Sequence, residues 1–448
     1  MKSRTCTVLA AAVTLVFGTD TLARAHTPAP ILNSSASSKS YVVSSQPASP
    51  LQQLVHEAWQ VIETNYADPT FNGLNWQQVR SEVLSRRYTT KEEVYTAIRA
   101  MLSRLDNPAT RFLTPEQFAG FESEDSGQLH VGVGLPELLS IDINEPTRQL
   151  TIVTPLPNTP ASEAGLMSGD RVVAIDGVST DGMDLGDATM RLRGRQGSTV
   201  TLTIQRNNST FEVVLTRKPI APASPAVQTK IEPMLGGLVG YIILRQFTES
   251  SPQEIREALE RLEGADGFVL DLRNNPGGVL PALEEIAGLF LGENTIGTLQ
   301  ERAGTTKLRS TGTQLTDKPL VVLVNEGTGS AAELLAGALQ DSGRAVVVGT
   351  PTFGKGLVHG FFPIADGAVV VVTMGQLKTP RGREILDVGI TPDVRVDMAK
   401  SPLLDSTIAL ASRSDVQYRQ AIEQLIGRTS RGFQVGNLPH LWNSLPQR

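Results

Sequence analysis

From about Pro219 to residue 400, short and wholly apolar runs alternate with helix-length segments, and this alternation limits the fold more than any other feature of the chain. Leu238–Leu244, Phe268–Leu272, Leu320–Val324, Ala345–Val348 and Val369–Met374 are strand-like, while Pro252–Leu262, Leu280–Leu291 and Ser330–Asp341 carry helical patterns. Strands that are apolar on both faces need cover on both faces, so residues 219–400 predict a sheet packed by helices. Leucine 403 to Ile426 reads as one long amphipathic helix, followed by a polar tail, within a C-terminal segment 401–448.

The start of the chain is of another kind. Lys2 and Arg4 precede an apolar stretch, Thr5–Gly18, and then Ala23-Arg24-Ala25, the pattern of a secretory signal peptide over residues 1–25. Its removal would take away Cys6, the only cysteine, and with it any disulfide or thiolate-rich zinc site. Residues 26–50 are rich in Ser, Ala and Pro without apolar period and read as a tether. From 51 to 126 three helical stripes follow: Leu54, Ala58, Val61 and Ile62; Trp76, Val79, Val83 and Leu84; Val94, Ile98, Met101, Leu102 and Leu105. Thr114-Pro115-Glu116-Gln117 opens a short fourth helix, and this block reads as a packing element without chemistry of its own.

Residues 127–218 form a third unit, in which β-branched runs alternate with turns: His130–Leu135, Leu150–Thr154, Arg171–Ile175, Thr199–Gln205 and Phe211–Thr216. Two short helix-like stretches, Ala161–Ala164 and Leu185–Leu192, lie between them. Gly132-Val133-Gly134-Leu135, together with Ser162-Glu163-Ala164-Gly165-Leu166 and the run Gly169 to Gly177, resembles a PDZ domain. That resemblance implies a glycine-flanked loop whose backbone N–H groups hold a peptide carboxylate. It also implies a sheet edge that takes an extended peptide as an added strand.

The chemistry is sought where buried strands run into helices, because ligands collect there. Leu320–Val324 leads through Asn325-Glu326-Gly327-Thr328-Gly329 to Ser330 at a helix start. A serine on such a bend has unpaired N–H groups beside it and a helix dipole that favours a developing oxyanion. A plain N-cap serine satisfies the same pattern, and Ser330 alone does not separate the two. A nucleophilic serine needs a base, and Thr352-Phe353-Gly354-Lys355-Gly356 sets a lysine between glycines after the next buried strand. A lysine enclosed by close-packed backbone loses charge stabilisation, which favours the neutral amine that takes a proton. A surface lysine in a turn is the plain alternative. His359, four residues on, is a second candidate for the base.

Other chemistries fit less well. Gly349 to Lys355 matches the first seven positions of a phosphate-binding loop, but Gly356 stands where Ser or Thr should hold magnesium. Leu357–Phe362 and the residues after Asp366-Gly367 then read as strand, turn and strand rather than helix. The five histidines are scattered and form no metal-binding pair, so neither metal nor cofactor is expected. A formal charge of −6 and 5% aromatics weigh against nucleic acid as a partner.

Taken together, these segments resemble the carboxyl-terminal processing proteases, serine endopeptidases with a Ser-Lys dyad and a PDZ domain. The motifs that carry the resemblance are the run Asp271 to Gly278, Gly329-Ser330-Ala331-Ala332-Glu333, Thr352 to Gly356, Thr379-Pro380-Arg381-Gly382 and Gly389 to Asp393. Tyr66 to Gly73 and Leu105 to Leu113 look most like the cyanobacterial and chloroplast branch, which implies the photosystem II D1 precursor as substrate. The implied fold is multidomain α/β plus β: an N-terminal helical block, a PDZ domain and an α/β protease core of the carboxyl-terminal processing protease type. The implied roles are Ser330 as nucleophile, Lys355 as general base, and oxyanion donors at the Ala331 N–H and at Gly277 or Gly278. Arg193 matches an arginine that in some relatives links the PDZ domain to the active site. His359 stands where the family usually has a glutamine that orients the lysine. As imidazole it implies a supporting role; if charged at low pH it would repel Lys355 and move the activity optimum upward. An impaired dyad would leave a non-catalytic adaptor that binds C-termini. The expected partners are C-terminal peptides. The expected location is the periplasm or thylakoid lumen, with at most peripheral membrane association.

Overall fold

The computed structural model describes residues 47, 49–119, 130–135, 139–141, 150–156, 158–183, 185–220, 226–234, 237–397 and 414–429. The expected signal peptide, nearly all of the tether and the polar tail lie outside these residues.

The helical block consists of α1 (Pro50–Asn65), α2 (Trp76–Leu84) and α3 (Lys91–Ser103), with a short helix at 115–119. Ser49, Asn75 and Thr90 cap the three long helices by accepting backbone N–H groups of the first turn. The predicted stripes meet in one core, where Trp59, Trp76, Phe71 and Tyr66 stack in sequence at centroid spacings of 5.5–6.4 Å. The block also supplies a strand that its sequence pattern did not announce, β1 (Arg111–Leu113). Three residues are too few to show a period of two.

The next unit contains β2 (His130–Gly132), β3 (Leu139–Ile141), β4 (Leu150–Ile152), α4 (Pro160–Glu163), β5 (Arg171–Ile175), β6 (Val178–Ser179), α5 (Leu185–Leu192), β7 (Thr199–Arg206), β8 (Ser209–Thr216) and β9 (Lys218–Ile220). Its antiparallel sheet has the order β3-β4-β5-β7-β8, with β3 at one edge beside α5, and β2 pairs separately with β9. Alternate apolar residues, such as Leu150, Ile152, Val172, Leu202 and Ile204, fill its core.

The large α/β unit contains β10 (Val227–Met234), β11 (Gly237–Leu244), α6 (Ser251–Arg261), β12 (Gly267–Asp271), α7 (Leu280–Leu291), β13 (Thr295–Glu301), β14 (Gly304–Arg309), β15 (Leu320–Val324), α8 (Ala331–Asp341), β16 (Ala345–Gly349), β17 (Leu357–Pro363), β18 (Val369–Lys378), β19 (Val394–Arg395) and α9 (Val416–Thr429). The central sheet runs β10-β11-β12-β15-β16-β19, parallel from β11 onward, with β10 antiparallel at its edge. Phe268, Leu270, Leu320 and Val322 pack on α6, α7 and α8, whereas Val269, Val321 and Leu323 pack on α9. Two-sided cover explains why these strands read as continuous apolar runs. A second sheet, β1-β18-β13-β14 with β17 on the other side of β18, holds the strand that follows Lys355. The β13–β14 hairpin, half of it solvent-facing, escaped the sequence reading. The C-terminal helix is described from Val416, where Asp415 caps it by accepting the Tyr418 N–H at 3.0 Å; residues 403–413 of the expected helix lie outside the described residues.

Candidate active site

Ser330 lies where β15 turns into α8, with φ +53° and ψ −120°. A serine in that region costs on the order of 1–3 kcal/mol and persists only when its surroundings impose it. The surroundings are two loops sewn together. Asn325 Nδ2 donates to Asn274 Oδ1 and Asn325 Oδ1 accepts the Asn274 N–H, both at 2.9 Å. Gly329 N–H reaches the Asn275 carbonyl at 2.8 Å, and Thr328 Oγ1 donates to the Leu272 carbonyl at 2.8 Å. The loop after β12 is thereby laid along the serine turn.

Gly277, at φ +100°, touches that turn so closely that a Cβ there would stand 2.7 Å from Ser330 Cβ and 2.9 Å from Ala331 N. The sequence left the second oxyanion donor open between Gly277 and Gly278, and the two glycines differ in their hydrogen bonds. Gly277 N–H donates to its own loop, to Asn275 Oδ1 at 2.8 Å. The Gly278 and Ala331 N–H groups are taken up by no acceptor among the described residues. Two unsatisfied donors beside a strained serine are what an oxyanion requires.

Lys355 sits in the segment between β16 and β17. Its flanking glycines are explained by contact: a Cβ at Gly354 would lie 3.0 Å from the Asp387 backbone, and one at Gly356 2.4 Å from Leu386 N. Phe353 N–H donates to the Thr328 carbonyl at 2.9 Å, tying this segment to the serine turn. The stronger tie is Glu333, in the first turn of α8, which no role assigned from sequence covered. Its Oε2 accepts the Ser330 and Lys355 N–H groups at 2.8 Å each. Its Oε1 accepts the Gly354 N–H at 2.7 Å and Thr352 Oγ1 at 2.5 Å. Burial pushes this carboxyl up to about 7, against the four donors that favour its charged form. An acidic residue three positions after Ser330, within the apolar first half of the helix, was the one sequence signal for it.

His359 lies on β17 opposite Thr373. Its Nε2 is shielded from solvent without a hydrogen-bond partner among the described residues, and burial, with the nearby charges of Arg111 and Lys355, holds the imidazole down to about 3. That lowering favours the neutral imidazole, the form that would not repel Lys355. Arg111, from β1, brings the helical block into the electrostatics of this site.

Gly132, Val133, Gly134 and Leu135 lie elsewhere, in the antiparallel unit. Gly134, at φ +86°, faces Thr159, and the Gly134 and Val133 carbonyls accept from Leu156 and Ala161 N–H groups. Arg193 follows the last turn of α5 and is half-buried. This unit nevertheless touches the serine turn: Ser168 Oγ donates to the Glu326 carbonyl at 2.7 Å, and Val153 and Thr154 pack on Gly329 and Gly327. Gln117 Nε2, from the helical block, donates to Asp187 of α5 at 2.8 Å.

The chain matches the profile of Peptidase family S41 over residues 238–396 and that of a PDZ domain over residues 151–206. It is 42% identical to a carboxyl-terminal-processing protease of Synechocystis sp. over 87% of this chain and 90% of that one. With carboxyl-terminal-processing peptidase 2, chloroplastic, of Arabidopsis thaliana the identity is 38%, over 75% of this chain and 67% of that one. Among solved structures it resembles a photosystem II D1 C-terminal processing protease, with a TM-score of 0.72 and 33% identity, covering 78% of this chain and 94% of the other.

Proposed function

The chain belongs to the carboxyl-terminal processing proteases of peptidase family S41, and from that membership we propose that it is an exported serine endopeptidase working through Ser330 and Lys355. Ser330 Oγ forms a bond to the scissile carbonyl carbon while the neutral Lys355 amine takes its proton. The resulting oxyanion is held by the Ala331 and Gly278 N–H groups. The carbon–nitrogen bond then breaks, and Lys355 returns the proton to the leaving amine. Water repeats the attack on the acyl-enzyme, again losing its proton to Lys355, and frees Ser330. The observation that carries this reading is Glu333, whose single carboxylate accepts N–H groups from both the serine turn and the lysine segment. Neutral His359 supports Lys355 as a positioning group.

The PDZ unit supplies recognition. The Gly132–Leu135 loop, the β3 edge and α5 together suit an extended C-terminal peptide, with Arg193 at the end of α5 linking that groove to the active site. The likeness to the D1 processing protease and to chloroplast and cyanobacterial relatives favours the D1 precursor as substrate and the thylakoid lumen or periplasm as location. The N-terminal signal pattern supports export.

The test is cleavage of an unfolded C-terminal substrate by the chain lacking residues 1–25. Wild type should cut it, and Ser330→Ala and Lys355→Ala should bind it without cutting. Binding without cleavage by wild type would make the chain an adaptor instead. Depletion in the source organism should leave D1 with a longer C-terminus; a different exported chain keeping its tail would reassign the substrate.

A further inference from the structure

The loop that carries Gly278 leaves β12 through Asp271 and Arg273, and these two residues are joined to the far end of the chain. Arg273 donates from Nε to Asp271 Oδ1 and Oδ2 at 3.0 Å and from Nη2 to Oδ2 at 2.6 Å. On its other side Nη1 reaches Asp415 Oδ1 at 3.1 Å and Nη2 reaches Asp415 Oδ2 at 2.8 Å. Gln417 Oε1 accepts from Nη1 at 3.1 Å, and Gln417 Nε2 donates to the Val396 carbonyl at 2.9 Å. The side chains of Arg273, Asp271 and Asp415 are only 4%, 2% and 0% exposed. Tyr241, whose hydroxyl donates to Asp271, packs edge-on against Tyr418 of α9.

A buried ionic triad is an expensive way to stabilise a fold, since apolar side chains of like volume do as well or better. What it provides is direction, through two planar forks that fix one guanidinium. Asp271 is two residues from Arg273 and moves with the same loop. Besides the Tyr241 hydroxyl of β11, which accepts from Nη2 at 3.4 Å, Asp415 and Gln417 tie the guanidinium to an element outside the central sheet, and both lie beyond residues 238–396, which match the S41 profile.

We infer that Asp415, with Gln417, is a positioning residue of the active site: through Arg273 it fixes loop 271–278, and so the Gly278 N–H, against the serine turn. The inference rests on the reading that Gly278 and Ala331 bind the oxyanion of a Ser330 adduct.

Asp415→Asn separates positioning from folding, because asparagine caps a helix as well as aspartate does. It keeps the oxygen that receives the Tyr418 N–H but turns an amide NH2 towards Arg273 Nη2. The probes are a C-terminal peptide substrate and a peptide boronate that bonds to Ser330 Oγ and mimics the tetrahedral oxyanion. In Asp415→Asn, kcat should fall at least 30-fold with KM within about threefold, and boronate affinity should fall in parallel. Gln417→Leu, which keeps every charge, should lose kcat and boronate affinity several-fold in the same proportion, and it carries the test if Asp415→Asn does not fold. Unchanged kcat and boronate affinity with only a lowered melting temperature would overturn the inference while leaving the Ser330 reading intact. Cleavage by Ser330→Ala would overturn that reading and this inference with it.

Discussion

Ser330 and Lys355, 25 residues apart in the chain, donate their backbone N–H groups to the same oxygen, Oε2 of Glu333, at 2.8 Å each. One buried carboxylate, with the Phe353–Thr328 backbone bond beside it, therefore holds the serine turn and the lysine segment together.

Glu333→Gln should break that arrangement, because an amide NH2 must face donors on one side. Losing charge-assisted acceptance from buried donors should cost about 2 kcal/mol in urea unfolding and lower kcat on the order of 100-fold, roughly 2.7 kcal/mol in the barrier. The pH dependence has a definite sign. The carboxyl is raised from 4.5 to about 7 in the folded protein, so the native state holds the proton more tightly than the unfolded chain between those values. Its contribution to stability is complete below pH 4.5 and is lost as pH rises through 7. Melting curves of wild type should decline over that window relative to Glu333→Gln. Parallel curves would exclude the carboxyl as their source.

His359 works in the opposite sense. Its folded value is lowered from 6.5 to about 3, so the unfolded chain binds the extra proton in that interval. Stability contributed by the neutral imidazole is present above pH 6.5 and lost as pH falls towards 3. His359→Gln should flatten the acid side of the melting profile while leaving the pH–rate profile between pH 7 and 9 in place. A shift of that profile would mean that the imidazole takes a share of the base's work.

Gly277→Ala places a methyl 2.7 Å from Ser330 Cβ and 2.9 Å from Ala331 N, where the neighbour is rigid turn backbone, at a φ of +100°. The turn has to move or the loop has to unbend. Activity should fall at least 100-fold, with about 1–2 kcal/mol of stability lost to the strained backbone. Wild-type kcat in this variant would show that the two loops can part without harm.

Thr154 offers a change of the other sign. Its Oγ1 is buried against the Gly327 turn without a hydrogen-bond partner among the described residues. Thr154→Val removes the orphan hydroxyl at equal volume, so it should be neutral or stabilise the folded chain by about 1 kcal/mol. Urea unfolding midpoints decide it, and a clear loss of stability would mean that the hydroxyl has a partner in solution.

The alternation of apolar runs and helical patterns led to the right sheet because strands covered on both faces cannot be anything but apolar. The same reading marked Ser330 as a candidate, since a serine between glycines and a helix start serves as either a nucleophile or a plain N-cap. It marked Lys355 too, whose glycines answer a contact with Leu386 and Asp387 that any side chain would violate. β1 and the β13–β14 hairpin were not legible, because each is decided by its pairing partners rather than by its own pattern.

By itself, then, the sequence determined most of the elements and their order and marked Ser330 and Lys355 as candidates, for these follow from local periodicity, turn geometry and residue chemistry. Only the tertiary structure decided that Glu333 bridges the Ser330 and Lys355 segments, that Gly277's N–H is spent on Asn275 while Gly278's meets no acceptor among the described residues, that burial lowers the His359 imidazole, and that Asp415 reaches Arg273. Hydrogen-bond partners and desolvation are properties of what lies around a group. In a close-packed interior that surrounding is assembled from residues tens to hundreds of positions apart.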